Sequence, residues 1–474
     1  VRVAPITIAV VGWTVGTLLA FLGLPVALAG VAVALVVVRG RRALVVAALV
    51  AAVGAVAGSA RLAAIDDRSG PPAGAYRGVV EIGDGWHGSA TARSDGTLAT
   101  GERVLVRLRR GEGEPARGSL VAVVGTLTPP RGPWQGFDEG AWLAERGIHR
   151  VLHVRSLRVV GRRGGVRGVV DRVREHALSA YRAAGTPDAE AVLGAIALGA
   201  DRGLSPEARD AFRRSGLAHL LAVSGGNVAL LVAAVLVLAW TVGIGRRAAL
   251  VISIAAVCAY VELVGPAPSV VRAGIAGVLA CAAWLVSRRP DSWHALAVGA
   301  ALILTWNPRS VTDPGFQLSF AAVASILLLA PVLRDVLDGL PFPAVLRAPA
   351  AITAACTLAT APISWLRFGQ VNLIASVPAN LAALPSAPLL LWIGLLAATI
   401  APLSPDAAAT VAASARVPAD YLLAVARAGA WLDERTAALE PPLVAGLACV
   451  AGLLLYRSLL VRWSAWPRRS SRST

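Results

Sequence analysis

The chain has 474 residues, of which 56% are hydrophobic and 15% charged, and its formal net charge is +17. A soluble domain is nearer a quarter charged, and here apolar runs recur along most of the length, which excludes one soluble core. Every basic residue is Arg, and the lack of any Lys excludes a Walker-type phosphate loop, so any ATP-driven step falls to a partner.

Three apolar runs come first, Val3–Leu22, Pro25–Val38 and Ala43–Ala60, read as the N-terminal transmembrane helices of a unit spanning 1–60. No cleavage site with a soluble mature region follows the first run, which reads as a retained anchor. Arg39, Arg41 and Arg42 place the second loop in the cytoplasm by the positive-inside rule, and the N-terminus with it. The third helix then delivers residues 61–165 to the outer side.

That stretch is polar, Gly-rich and alternating. Period-two patterning predicts strands at Tyr76–Glu81, Arg103–Arg109, Leu120–Leu127 and Val151–Val160, with a short helix at Glu139–Arg146. A small extracytoplasmic β-barrel of OB type fits. Residues 61–163 carry 16 Arg against 11 Asp and Glu. Trp86, Trp134, Phe137 and Trp142 either fill the barrel or stack on bases.

Val166–Arg182 reads as an amphipathic surface helix within an interfacial unit of 166–216. Apolar segments follow near Leu217–Val242, Ala248–Val264, Val270–Val286, Ala295–Trp306, Phe316–Leu333, Ala348–Leu366, Leu373–Leu403 and Leu443–Leu460, making a membrane domain of 217–462 before a basic tail, 463–474. Arg246/Arg247 and Arg288/Arg289 mark cytoplasmic loops. The acidic stretch Ser404–Glu440 hints at the outer side while the tail looks cytoplasmic. Reconciling them needs a segment that enters and leaves on one side, and Pro362, Pro378, Pro385 and Pro388 mark the candidate. The fold class expected is mainly α, polytopic and transmembrane, with an inserted β-barrel.

Four polar clusters interrupt the apolar segments. The first is His219-Leu-Leu-Ala-Val-Ser224-Gly225-Gly226-Asn227. It could break a helix and aim backbone N–H groups at an anion, or pack helices closely with Ser and Asn as glue. The second runs from Glu262 through Pro268 and Ser269 to Arg272. Its intramembrane charges face a wet path or pair with one another. The third holds Asn307-Pro308 and Asp313-Pro-Gly-Phe316-Gln317-Leu-Ser319-Phe320. The fourth is Arg367-Phe368-Gly369, followed by Asn380. The four Cys, at 258, 281, 356 and 449, lie in apolar segments without a CxxC or Cys/His cluster, and no metal or cofactor is expected.

In this order the clusters resemble the ComEC family of DNA-uptake channels, in the form typical of actinobacteria. The resemblance runs from Leu193-Gly-Ala-Ile-Ala-Leu-Gly-Ala-Asp201-Arg202 and Phe212-Arg-Arg-Ser-Gly216 through His219, Ser224, Gly225, Ser269, Arg272, Asn307-Pro308, Gln317 and Ser319 to Phe368-Gly369. Gly125-Thr-Leu-Thr-Pro-Pro, Phe137-Asp138 and Gly147-Ile148 resemble the family's outer OB-like domain. The resemblance implies a non-enzymatic inner-membrane channel passing single-stranded DNA during natural transformation. It further implies lipid, a DNA receptor protein and a cytoplasmic ATPase as partners, and allows a homo-oligomer.

The DNA-path candidates are His219, Ser224, Gly225, Gly226, Asn227, Glu262, Ser269, Arg272, Gln317 and Ser319. Arg103, Arg107, Arg109 and Trp134 are candidates for binding DNA in the outer domain. Three features depart from the family pattern. Asn227 stands where many members have His, the outer domain has no Cys pair, and no HxHxDH run or metallo-β-lactamase-like domain is expected. A transporter of a smaller anion on the same scaffold is the competing reading. An intramembrane enzyme centred on His219 and Ser224 is a third, disfavoured by their spacing of five.

Overall fold

The computed structural model describes residues 54, 56–63, 71–86, 93–108, 115–132, 139–144, 147–201, 203–265, 268–287 and 292–439. The helices expected over 1–53, the apolar segment Leu443–Leu460, the tail 463–474, Arg109 and Trp134 lie outside the described residues. The rest is mostly helical with one small sheet.

The sheet holds five strands, β1 (Gly74–Trp86), β2 (Arg93–Leu98), β3 (Arg103–Arg107), β4 (Ser119–Thr128) and β5 (Ile148–Arg162). They pair in the order β1-β2-β3-β5-β4, and β1 also pairs with β4, so the ring closes. Only the β3–β5 pair is parallel. Along β4, Val121, Val123 and Leu127 face inward, and they meet Val80, Ile82, Val104, Val106, Leu152 and Val154 in one apolar core. Alternation thus does what period two requires, with one face buried and the other solvated. The helix α1 (Glu139–Ala144) closes one end through Leu143, which packs on Leu105, Ile148 and Val151.

From the barrel the chain enters α2 (Gly165–Tyr181), α3 (Pro187–Leu198) and α4 (Pro206–Arg214). The apolar helices follow: α5 (Gly225–Thr241), α6 (Arg246–Val264), α7 (Pro268–Leu285) and α8 (Ser292–Trp306). Next come α9 (Pro314–Leu328), α10 (Ala330–Asp338), α11 (Ala344–Phe368), α12 (Leu373–Ala383) and α13 (Ser386–Ile400). The last described helices are α14 (Pro405–Ala413) and α15 (Arg416–Thr436). Thr186, Ser205, Asp313 and Ser404 each cap a helix whose next residue is Pro, so the missing N–H of Pro falls where no helical partner exists.

Two helices, α6 and α11, are long and apolar enough to cross a membrane, with mean hydropathies of 1.9 and 1.4. The pairs α9/α10 and α12/α13 pass the same test jointly but bend by 46° and 53°. Thus Phe316–Leu333, expected as one segment, is broken near Leu329. Leu373–Leu403 is broken at Leu384–Pro385, inside the Pro-rich stretch. The apolar helices α5, α7 and α8 are shorter. Trp240 and Trp306, 81% and 76% exposed, stand at the ends of α5 and α8, where an amphipathic ring suits a lipid–water boundary.

The largest core joins α2, α3 and α4 to α12, α13, α14 and α15. Its centre is α3, buried from Ala189 to Leu198 apart from Glu190, which is half-buried. Gly199 ends α3 in the left-handed region at φ 64° and donates to the carbonyl of Ala195. A Cβ there would also crowd Val264 at 3.2 Å, so glycine serves both the turn and the close approach. The turn leaves the carbonyls of Ile196, Ala197 and Leu198, and each is taken by a different helix. Asn227 of α5 donates to Ile196 at 3.0 Å, Tyr260 of α6 to Ala197 at 3.0 Å, and Arg174 of α2 to Leu198 at 2.6 Å.

A second polar joint ties the barrel to the helices. Asp171, 7% exposed, accepts from Arg163 at 2.5 and 2.9 Å and pairs with Arg117 at 3.3 Å. Arg163 also reaches Glu81 of β1 at 3.0 Å, and these carboxylates, Asp171 foremost, hold its guanidinium above the ordinary arginine range. Arg117 in turn donates to the carbonyls of Glu262 and Leu263 at the end of α6, and Arg174 donates to Leu263 as well. Guanidinium donors here meet the negative end of a helix. The buried face of α2 therefore carries Asp171 and Arg174 at helical spacing, while Val166 and Val169 face outward. Removing one partner of such a network strands the others in low dielectric. Asp171→Ala is expected to lower the unfolding free energy of the full chain in detergent by about 3 kcal/mol. Gly118, at φ 77° against the Asp171 carboxylate, is expected to tolerate Ala no better. Thermal unfolding with hydrogen exchange across α2 checks both, and exchange unchanged from the wild type would remove the joint's importance.

Candidate functional site

The apolar helices bring three of the four sequence clusters together. Ser224 is the extended residue before α5, at φ −117° and ψ 173°, so the chain stops being helical where the Ser-Gly-Gly-Asn run predicts a break. The expected segment Leu217–Val242 thus becomes a short turn around Ala218–Leu220, a loop, and then a helix. Ser224 does not cap the helix backbone with its side chain. Its hydroxyl donates to Asn227 Oδ1 at 3.3 Å instead. The first N–H groups of α5, with the positive end of its dipole, remain a site that favours negative charge.

Arg272 stands in the second turn of α7, facing that end. A Cβ placed on Gly225 would lie 3.9 Å from an Arg272 terminal nitrogen, so the absence of a side chain there keeps the approach open. Arg272 Nε donates to Ser319 Oγ of α9 at 2.6 Å, and its guanidinium lies 5.9 Å from the Phe320 ring centroid. Phe320 stacks on Phe316 at 4.2 Å. Gly299 of α8 completes the surround, with room for the Arg272 stem at 3.7 Å from a built Cβ. Among the described residues Arg272 has no carboxylate partner.

The other candidates sit less centrally. Ser269 is one turn before Arg272 on α7. Gly226 is exposed in the first turn of α5. Asn227 is committed to α3 through Ile196. His219 is solvent-accessible, with Nδ1 3.0 Å from the Gly216 carbonyl oxygen. Since Ser224 bonds Asn227 and His219 meets Gly216, no hydroxyl–imidazole pair forms among the described residues. Gln317 binds the Val311 carbonyl at 2.8 Å, which folds the turn before α9. Glu262 is 3.2 Å from Arg167 of α2. The alternative of a Glu262–Arg272 ion pair is thus corrected: α6 turns Glu262 toward the barrel side, and α7 turns Arg272 toward α9.

On the barrel, Arg103 is exposed at the start of β3. Arg107 is not a free surface cation. It forms a 2.5 Å ion pair with Glu139, both side chains about nine-tenths buried at 12% and 9% exposure, and so fastens α1 to β3. Beside it, His153 lies within 3.1 Å of Thr128 Oγ1. Burial first, then Arg107 and Arg131, push its pKa below the usual 6.5. Sequence reading missed Asn380, Ser376 and Thr357 as a linked set. Thr357 of α11 meets Ser376 of α12 at 3.1 Å, and Asn380 donates to the Ser376 carbonyl at 2.8 Å. Asn380 was the one legible signal. Among the described residues no group of three His, Cys, Asp or Glu could hold a metal.

Apolar helices of membrane-crossing character, gathered around an arginine that faces a helix N-terminus, are those of a membrane protein. The family model described as Competence protein matches residues 196–464, more than half of the sequence, and the chain belongs to that family, the ComEC family. It is 28% identical over 270 residues to the ComE operon protein 3 of Bacillus subtilis (strain 168), a match covering 56% of this chain and 34% of the relative. The chain thus matches about a third of that curated relative's length. No solved structure matches.

Two outcomes follow from this geometry. Ser319→Ala removes the one hydroxyl that meets Arg272 and is expected to cost about 1.5 kcal/mol of stability in detergent, the lower end for a hydrogen bond to a charged group. An unchanged melting curve would mean that the guanidinium finds an equal partner elsewhere. For His153, the folded barrel resists protonation because its pKa lies below 6.5. Its contribution to stability is intact above the ordinary histidine range and is lost as pH falls through the lower, folded value. Hydrogen exchange in β5 is expected to quicken over that window, and His153→Gln to flatten the dependence.

Proposed function

We propose that the chain forms a passage through which one DNA strand crosses the plasma membrane into the cytoplasm during natural transformation. The observation that carries the reading is Arg272, held by Ser319 beside the open N-terminus of α5 and without a carboxylate partner among the described residues. A polyanion crossing low dielectric requires such groups along its way, since leaving water without replacement donors is prohibitive. Ser224, Gly225, Gly226, Ser269 and His219 border the same region, and Gln317 shapes its α9 side. Membership of the Competence protein family and the similarity to a ComE operon protein support the same substrate.

Orientation follows from the two ends of α6. Arg246 and Arg247 open it, and the barrel's Arg117 clasps its last carbonyls. By the positive-inside rule the first end is cytoplasmic, which supports an extracytoplasmic barrel, and Arg39, Arg41 and Arg42 support a cytoplasmic N-terminus in the same way. The closed five-stranded ring is OB-like in this reading, with Arg103 among the cations that capture the strand. Arg109 and Trp134 are the further candidates that the sequence offers for this role. A DNA receptor, a cytoplasmic ATPase and a second copy of the chain are the partners expected.

The test is uptake of labelled duplex DNA by a transformable strain with this gene deleted, complemented, or complemented by Arg272→Gln. Deletion is expected to abolish cytoplasmic DNA while label still collects outside. The Arg272→Gln strain is expected to lose at least about tenfold in uptake at unchanged protein level, in line with a charge-assisted contact. Normal transformation in the deletion strain would overturn the reading. Loss of transport of a small anion with DNA uptake intact would replace it by the smaller-solute alternative.

A further inference from the structure

The end of α3 holds α5, whose first turn Arg272 faces, and α6, which leads into the helix that carries Arg272. Its three last carbonyls are each bonded by a side chain from a different helix, Asn227 on α5, Tyr260 on α6 and Arg174 on α2. Asn227 stands two residues after Gly225, so its bond fixes the first turn of α5. Tyr260 and the carbonyl of Leu263, which Arg174 also binds at 2.8 Å, fix the last turn of α6, after which α7 begins at Pro268 with Arg272 in its second turn. Arg117 of the barrel bonds the same end of α6. The barrel, α6, α3 and α5 therefore share one rigid node of donors and helix carbonyls.

We propose that Arg174, Asn227 and Tyr260 are positioning residues, which hold the first turn of α5 and the Arg272 region in register with the outer barrel, and that passage of DNA depends on that register. The proposal rests on the channel reading given above. Its physical basis is the choice of bond. Apolar packing resists separation but permits sliding, whereas a donor on a single carbonyl fixes both translation and rotation. Arg174 is only 9% exposed, a costly place for a guanidinium unless its direction matters. At this node its guanidinium donates to the last carbonyls of two helices, Leu198 of α3 and Leu263 of α6. Each of the three side chains is engaged by a carbonyl at the end of α3, so their proposed role is exerted through the groups they hold.

The experiment uses the full chain in a transformable strain whose own gene has been replaced. Cytoplasmic arrival of labelled DNA is measured against DNA concentration, with protein level measured in the same cells. Tyr260→Phe removes one hydroxyl and keeps the ring, and Arg174→Met keeps the apolar stem. Both are expected to leave the half-saturating DNA concentration unchanged, because capture takes place at the barrel. The maximal rate is expected to fall about tenfold in Arg174→Met and severalfold in Tyr260→Phe, with Arg174→Lys recovering part of the loss. An unchanged maximal rate in Tyr260→Phe, or a shift in half-saturation at an unchanged maximum, would overturn the proposal. If Arg174→Met fails to accumulate, Tyr260→Phe decides. A wild-type chain that carries no DNA overturns the channel reading itself, while a wild type that carries DNA alongside fully active variants overturns only the positioning role.

Discussion

Three carbonyl oxygens at the end of α3 have no helical partner, and the arrangement of the helices around them follows from how they are satisfied. Helix geometry makes the deficit unavoidable, because the last turn always leaves acceptors behind. Water could meet it at a surface, but α3 is buried along most of its length. Gly199 closes the turn and aims the carbonyls outward, and Asn227, Tyr260 and Arg174 arrive from three directions. An obligatory local shortage becomes a point of attachment for helices distant in sequence.

Charge is used at the next level in the same manner. The joint of Glu81, Arg163, Asp171 and Arg117 contributes little net stability relative to an apolar isostere, since desolvation offsets most of the attraction. What it adds is direction. Arg163 addresses Asp171 with two parallel bonds and Glu81 with a third, and Arg117 spans from Asp171 to the end of α6. The barrel is thereby set on the helices at a fixed angle. Gly118 is small because the Asp171 carboxylate occupies the space a side chain would need.

Much of this frame was legible in the sequence because apolar periodicity and segment length are properties of runs. The expected strands and most apolar segments correspond to elements of the structure, with β2 missed because Arg-Ser-Asp-Gly-Thr-Leu lacks alternation and borrows its order from its neighbours. The break near Leu329 was blurred, since hydropathy does not register a bend, whereas the one at Pro385 falls in the Pro-rich stretch that the sequence marks. The caps at Thr186, Ser205, Asp313 and Ser404, each followed by Pro, would have located four helix starts. Candidate side chains were legible by being polar in apolar surroundings. Their partners were not. Glu262 turns to Arg167 rather than Arg272, and Arg107 is absorbed by Glu139. The node at α3 was invisible because its acceptors are main-chain atoms of Ile, Ala and Leu.

Arg272 is the exception to a general economy in which each buried arginine is matched to acceptors. Arg163 meets two carboxylates and Arg174 donates to helix carbonyls, whereas among the described residues Arg272 meets one hydroxyl and an aromatic face. It also faces the positive end of α5, so two sources of positive potential are set against each other. In a medium of low dielectric such an arrangement is unfavourable by itself, and it becomes favourable only when negative charge enters between them. A small anion would satisfy that condition by staying. In the proposed reading a strand of phosphates satisfies it repeatedly, each group replacing the last, as a passage requires and a binding site does not.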